Sequence, residues 1–235
     1  MRWNDPLLQF VFWPLATIAL YHLARGVSRR WPRWWTSPLL LTPMGVIALT
    51  LVLKADYRQY MSGAHWLLLM LGPATVAFAI PIHEQRATIR RHWPILLVGV
   101  LAGSTIAMAS GWALAHLLGV PDAVGRSLMP RSTTTPFAMA VSDEIGGLPN
   151  LTAVFVIMTG VCGAALGELM LKWLPLRSAL ARGALFGMGA HGAGVAQAHR
   201  IGAEEGSIAG LVMVLAGLLN LIAAPVVMMA LRYTG

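Results

Sequence analysis

Long apolar stretches alternate with short polar segments along almost the whole chain. A helix needs about 20 mainly apolar residues to cross a bilayer, and the stretches that reach or approach this length are Leu7–Ala24, Pro38–Leu53, His65–Ile82, Trp93–Leu118, Leu148–Leu171 and Ser207–Leu231. The second is short and has prolines near its start, where a helix tolerates them because its first N–H groups have no partner. The pattern predicts about six spanning helices.

Two further segments, Leu128–Gly147 and Gly183–Gly202, are too polar or too rich in glycine to be simple lipid-facing helices. We expect both to be broken or re-entrant, because proline and glycine interrupt helical hydrogen bonding. A third break is expected at Pro73, which precedes Thr75 and Pro81 in one apolar stretch. Paired discontinuous helices are typical of secondary transporters with inverted repeats, although no residue-by-residue repeat is evident.

Composition supports this architecture, since 57% of the 235 residues are hydrophobic and 11% are charged, with a mean hydropathy of +0.68. A soluble domain carries about 25% charged residues. The net charge of +8 comes from Lys and Arg that lie mostly between the apolar stretches. This is the distribution of the positive-inside rule rather than a nucleic-acid surface. The fold class is therefore an all-α polytopic membrane protein.

Basic residues also indicate an orientation. The loops that follow the first, third and fifth stretches are the richest in Lys and Arg, so we expect them to be cytoplasmic and the N-terminus to be outside. All three loops can be cytoplasmic only if Leu128–Gly147 enters and leaves the membrane on the same face. We divide the single membrane domain, 1–235, into scaffold spans at 1–63 and two broken-helix regions at 64–147 and 148–235.

The most distinctive polar segment lies between Pro130 and Pro136. It contains Arg131, Ser132, Thr133, Thr134 and Thr135. An extracellular loop with a solvated arginine is one interpretation. The other is unwound backbone inside the protein, where a half-helix beginning at Pro136 would direct free N–H groups towards an anion and the arginine fork would bind its carboxylate.

The second candidate is the glycine-rich segment around His191, with Gly192 and Gly194. It is either a tightly packed segment with an incidental histidine or a break whose backbone faces a small ligand, with His191 as donor or proton carrier. Asn220, in the last span, either bonds another helix or faces the cavity. No zinc spacing, nucleotide-binding loop or catalytic triad is evident, so we expect no metal, no cofactor and no enzymatic activity.

Several segments resemble the LrgB/CidB (YohK-type) family of bacterial membrane proteins. The matching segments are Leu71–Ala77, Pro130–Ala138, Ile145–Pro149, Leu151–Val156, Gly189–Gly192 and Glu205–Gly206. They occur in the family's order, and the match runs from near Pro6 to the C-terminus, which is essentially the whole chain. The resemblance implies a location in the bacterial cytoplasmic membrane. Arg131 stands where the family usually has lysine, Thr133 where it often has valine, and Val195 where threonine is common.

The resemblance implies one of two functions. Family members were first described as antiholin-like regulators of murein hydrolase activity that act with a small LrgA/CidA-type membrane partner. Relatives, including the plastidal glycolate/glycerate translocator, imply a carrier of small monocarboxylates such as pyruvate, glycolate and glycerate. We expect the carrier function, with a substrate site formed by Arg131 and its hydroxyl neighbours, Pro73, Thr75, His191, Gly192 and Gly194.

Several Gly-x-x-x-Gly pairs, among them Gly183/Gly187, predict close helix packing and a homodimer.

Overall fold

The computed structural model describes residues 6–31 and 33–234, which form two compact units that divide after Val76. The first unit contains α1 (Pro6–Arg30), α2 (Pro38–Val52), α3 (Tyr57–Leu69) and most of α4 (Leu71–Ala77). The second contains α5 (Ala79–Glu84), α6 (Arg86–Leu117), α7 (Asp122–Leu128), a 3₁₀ turn (Met129–Ser132), α8 (Thr135–Glu144), α9 (Pro149–Trp173), α10 (Ala179–Ile201) and α11 (Ala203–Thr234). The described residues contain no strand, which confirms the all-α fold.

In the first unit, α1 packs against α2 and α3 around Trp13. The Trp13 and Tyr60 rings meet edge to face, with centroids 5.5 Å apart. Gly63 lies so close to the Gln9 carbonyl that a β-carbon there would overlap it. Asp56 starts α3 through a capping box with Gln59, which satisfies two backbone N–H groups at the helix end.

Among the described residues, five segments are long and apolar enough to cross a membrane, which confirms a polytopic membrane protein. They are Leu7–Arg30, Tyr57–Glu84, Arg86–Leu117, Pro149–Trp173 and Ala203–Arg232. The predicted second span is present only as the 15-residue helix α2, shorter than a perpendicular crossing requires. The Tyr57–Glu84 segment is interrupted at Met70 and Phe78, on either side of the predicted break at Pro73.

The first predicted broken segment is confirmed. The 3₁₀ turn ends at Ser132, and Thr133 and Thr134 have extended backbone before α8 begins. Prolines explain the break, because Pro130 and Pro136 lack the N–H that a continuous helix needs. After α8 the chain turns at Gly146, whose φ of 78° favours glycine. Buried residues of α8, including Phe137 and Ala138, place this half-helix inside the second unit.

Glycines bring α9, α10 and α11 together. A β-carbon at Gly187 would overlap the Ala209 carbonyl on α11, and one at Gly183 would lie 2.7 Å from the Glu205 carbonyl. A β-carbon at Gly163 of α9 would overlap the Gly189 carbonyl. These close approaches confirm helix packing at the Gly183/Gly187 pair. Gly99 of α6, by contrast, has nothing near its missing side chain.

Burial of α8 leads to a labelling prediction. In a Cys162→Ala background, which removes the exposed native thiol, Asp122→Cys is expected to react rapidly with a water-soluble maleimide. Ala138→Cys is expected to react at least tenfold more slowly, because Ala138 is fully buried and its exposure requires local unfolding. Reaction rates can be followed by mass shift. Equal rates would mean that α8 is a solvated loop.

Candidate functional site

Unwound backbone between the 3₁₀ turn and α8 carries a buried group of hydroxyl side chains. Ser132, Thr133 and Thr134 are all buried. The turn packs against α6, α9 and α10, and α8 follows it. The Ser132 Oγ has no hydrogen-bond partner among the described residues. Burying an unpaired hydroxyl is costly, so a polar group that paired with this oxygen would stabilise the segment.

Thr133 joins this segment to the last helix. Asn220 of α11 is 1% exposed, and its Nδ2 donates a hydrogen bond to the Thr133 Oγ1 at 2.7 Å. Of the two alternatives for Asn220, a bond to another element is therefore present. Asn220 also lines a cavity between α6 and α11, and its role in a substrate site stays a prediction.

His191 breaks α10 into two half-helices. Its backbone has φ 37° and ψ −122°, an unusual conformation for a residue with a side chain. The ring is 5% exposed and lies against Gly160 of α9, where a β-carbon would be 2.5 Å from the ring Cε1. The ring also hydrogen bonds the backbone of Val156, whereas Nε2 has no partner among the described residues. The predicted break at His191 is therefore present. One ring nitrogen, Nε2, has no hydrogen-bond partner among the described residues.

The backbone at His191 leads to a stability prediction. His191→Gly and His191→Ala both remove the ring, but glycine adopts this φ without a steric penalty. We expect His191→Gly to be more stable than His191→Ala by about 1–3 kcal/mol, the typical strain of such a conformation. In an ordinary helix interior the order is reversed, with alanine more stable by about 0.5–1 kcal/mol. Thermal unfolding in mild detergent measures the difference, and an alanine variant of equal or greater stability would contradict it.

Arg131 is half-buried beside α6. Its Nη1 donates to the carbonyls of Ala107 at 3.2 Å and Leu128 at 3.3 Å, and its Nη2 lies 3.5 Å from the Ser110 Oγ. A β-carbon at Gly111 would overlap this guanidinium. Within the described part of the chain Arg131 forms no ion pair with a carboxylate. The positive charge is thus stabilised by the dipoles of these carbonyl and hydroxyl groups, and by no carboxylate of the described residues.

The other predicted site residues are more dispersed. Thr135 is the first residue of α8, Gly192 is exposed after the break, and Gly194 packs against the Phe186 carbonyl. In the first unit, Pro73 is exposed and the Thr75 Oγ1 donates to the Leu71 carbonyl at 2.7 Å. The partners of Arg131 lie on α6 and α7, that of Thr133 on α11 and the neighbour of His191 on α9. A role for these residues in one substrate site stays a prediction.

Sequence reasoning missed a second hydroxyl cluster that holds α7, α8 and α9 together. The Thr152 Oγ1 donates to the Ser142 Oγ at 2.7 Å, and the Ser127 Oγ accepts from the Leu148 N–H at 2.7 Å. Gly147 makes room, since a β-carbon there would lie 2.5 Å from the Ser142 Oγ. The spacing of these residues in the sequence did not predict the cluster, because single serines in apolar helices are common and their partners are up to 25 residues away.

The side chains that commonly bind metal ions are not clustered in the described part of the chain. Over residues 6–31 and 33–234, no group of three or more His, Cys, Asp or Glu side chains could hold an ion. Buried hydroxyl, amide and imidazole groups instead offer neutral hydrogen bonds. The described polar groups are therefore suited to a small polar solute or to holding broken helices in place.

Known proteins resemble this chain over most of its length. The model of the LrgB-like family matches residues 17–230. An uncharacterized protein of Bacillus subtilis, YwbG, is 40% identical over 89% of this chain and 93% of its own length. The holin-like protein CidB of Staphylococcus aureus is 28% identical over 96% of this chain and 98% of its own length. No solved structure matches the chain.

Proposed function

We propose that this chain, which belongs to the LrgB-like family, is a holin-like multi-pass membrane protein that regulates murein hydrolase activity and lysis with an LrgA/CidA-type partner. The observation that carries this proposal is the end-to-end similarity to the holin-like protein CidB. Because the similarity covers 96% of this chain, it extends over both broken-helix segments as well as the spans. Five candidate spans agree with action inside the bilayer.

Murein hydrolase activity and lysis rate test this function. Cells that produce the chain with its partner protein are expected to change both measurements relative to cells that produce the partner alone. A matched pair of variants controls for folding. Gly187→Ala should disrupt the packing of α10 on α11, whereas Gly189→Ala should not, because there is open space around the added β-carbon. Unchanged lysis and hydrolase activity with well-expressed protein would refute the regulatory function.

Transport of small monocarboxylates such as pyruvate and glycolate is the second candidate. A specific feature favours it, namely the buried polar atoms without partners at both helix breaks, Ser132 Oγ and His191 Nε2. Arg131 adds a positive charge without an acidic partner among the described residues. Polar and charged groups at membrane depth are costly, so they commonly mark a solute path. A purely regulatory scaffold would not require them.

Purified protein alone in sealed vesicles separates the two candidates. Carrier activity is expected to appear as uptake of labelled pyruvate or glycolate that saturates and exceeds uptake by empty vesicles. Regulation through a partner predicts no such uptake, together with altered lysis in cells. Unlabelled acetate and a neutral sugar serve as competitors that test recognition of the carboxylate and its substituent.

Assembly is part of the proposal. We expect a homodimer, because a protein whose parts move against each other needs a fixed surface. The mass of the protein in nanodiscs should then correspond to two chains, and a mass of one chain would contradict the dimer.

A further inference from the structure

A cavity of about 390 Å³ lies at the corner between α5 and the first turns of α6 in the second unit. Half of its lining is apolar and half is basic, and the lining residues are Ala79, Ile82, Ile89, His83, Arg86 and Arg90. Ile82 and Ile89 also pack against the buried cluster that contains Leu96 and Val100. The core of the second unit therefore holds the apolar wall of this cavity in place.

The basic side chains of the cavity are accessible and adjacent. His83, Arg86 and Arg90 are all exposed. Arg86 and Arg90 are four residues apart on α6, so they share one helix face. The Arg86 Nη1 donates a hydrogen bond to the His83 Nε2 at 2.9 Å, which joins the basic residues of α6 to that of α5.

No carboxylate balances this charge inside the cavity. Glu84, the acid nearest in sequence, does not line it. Within the described part of the chain neither Arg86 nor Arg90 forms an ion pair with a carboxylate. Like charges four residues apart on a helix repel each other, and a bound anion would relieve this repulsion. Phosphate suits the two arginines, because each planar guanidinium can bond two of its oxygens.

The position of the cavity favours an anion that carries hydrocarbon. Of the candidate spans, Tyr57–Glu84 ends at this corner and Arg86–Leu117 begins there. The ends of spanning helices lie near the level of the lipid headgroups. A free anion would contact only the basic half of the cavity, whereas acyl chains would also cover the apolar half and remove it from water.

We propose that this cavity binds the headgroup of an anionic phospholipid. The phosphate lies on Arg86 and Arg90, and the first carbons of the acyl chains lie along Ile82 and Ile89. Basic pockets beside membrane spans are a known means of binding anionic headgroups. The site depends neither on Arg131 nor on the functions proposed above.

Native mass spectrometry of the full chain in mild detergent tests the proposal. The probes are dioleoyl phosphatidylglycerol and dioleoyl phosphatidylcholine, which share the phosphate and the chains but differ in the positive charge of choline. We expect the first phosphatidylglycerol to bind at about tenfold lower concentration than the first phosphatidylcholine, the effect of one charge-assisted hydrogen bond. Inorganic phosphate in large molar excess should leave the lipid bound. Its displacement would assign the site to a free anion and overturn the proposal.

Two neighbouring arginines separate a site from general positive charge. Arg90→Gln removes a residue of the cavity, whereas Arg91→Gln removes the same charge from an exposed residue that does not line it. We expect Arg90→Gln to weaken phosphatidylglycerol binding by about tenfold or more. Arg91→Gln should weaken it by less than about threefold, because solvent and salt screen exposed charges that make no direct contact. Equal losses in the two variants, or equal binding of the two lipids by the unmodified protein, would contradict the proposed site.

Discussion

Gly187→Ala is expected to destabilise the protein by about 3 kcal/mol, at the upper end of the usual cost of adding volume to packed structure. The added methyl group would overlap the Ala209 carbonyl on α11, and a backbone atom cannot rotate away as a side chain can. The two helices must separate, which loosens the contact that also contains Gly183. Thermal unfolding in mild detergent, followed by loss of the monodisperse peak in size-exclusion chromatography, measures the change.

Gly189→Ala is the matched control for this substitution. Gly189 lies in the same helix, two residues further on, with no atom within 4 Å of the position of an added β-carbon. Alanine also favours helix over glycine by about 0.5–1 kcal/mol, so this variant should be as stable as the parent or slightly more stable. Similar destabilisation by both substitutions would mean that helix α10 does not pack on α11 through this face.

Arg131→Ala is expected to lower affinity for pyruvate or glycolate by ten- to a hundredfold if the protein is a carrier. A hydrogen bond between charged groups contributes about 1.5–3 kcal/mol, which corresponds to this range. Arg131→Lys should retain part of the affinity, because the point charge remains while the planar fork is lost. Binding to purified protein measures the effect, and unchanged affinity in Arg131→Ala would place the carboxylate site elsewhere.

Gly111→Ala tests the position of the guanidinium while its charge is kept. The added methyl group would overlap the Arg131 Nη1 and displace the side chain from the Ala107 carbonyl. We expect a loss of affinity without a large loss of stability, because a flexible side chain moves more easily than backbone. Gly99→Ala, also on α6 but with open space at the β-carbon, controls for substitution within this helix.

Apolar length and helix-breaking residues were sufficient to predict most of the fold. Both broken segments were located from composition, since Pro130, Pro136 and the glycines around His191 act locally. The short helix α2 was recognisable from its length and prolines. Local signals could not predict which glycines touch backbone, because Gly99 and Gly187 look alike in sequence and differ only in the helix that faces them.

Prediction of the candidate site was less complete for a related reason. The buried threonines and His191 stood out as polar residues in apolar surroundings, but their partners are set by tertiary packing. The sequence did not indicate that Arg131 would bond the Ala107 carbonyl, 24 residues earlier. Ser104 was overlooked because one serine in a long apolar helix is usually satisfied by its own backbone, whereas the structure leaves its hydroxyl without a hydrogen-bond partner among the described residues.

The bond between Thr133 and Asn220 sets an order for biogenesis. Its two residues are separated by 87 positions in the chain, which a ribosome working at 5–20 residues per second needs about 4 to 17 s to synthesise. During that interval the unwound segment is already made, but its threonine hydroxyl lacks the amide that will pair with it. Completion of this polar contact therefore waits for insertion of the final helix, and chains that stop short of α11 lack the amide that pairs with the Thr133 hydroxyl.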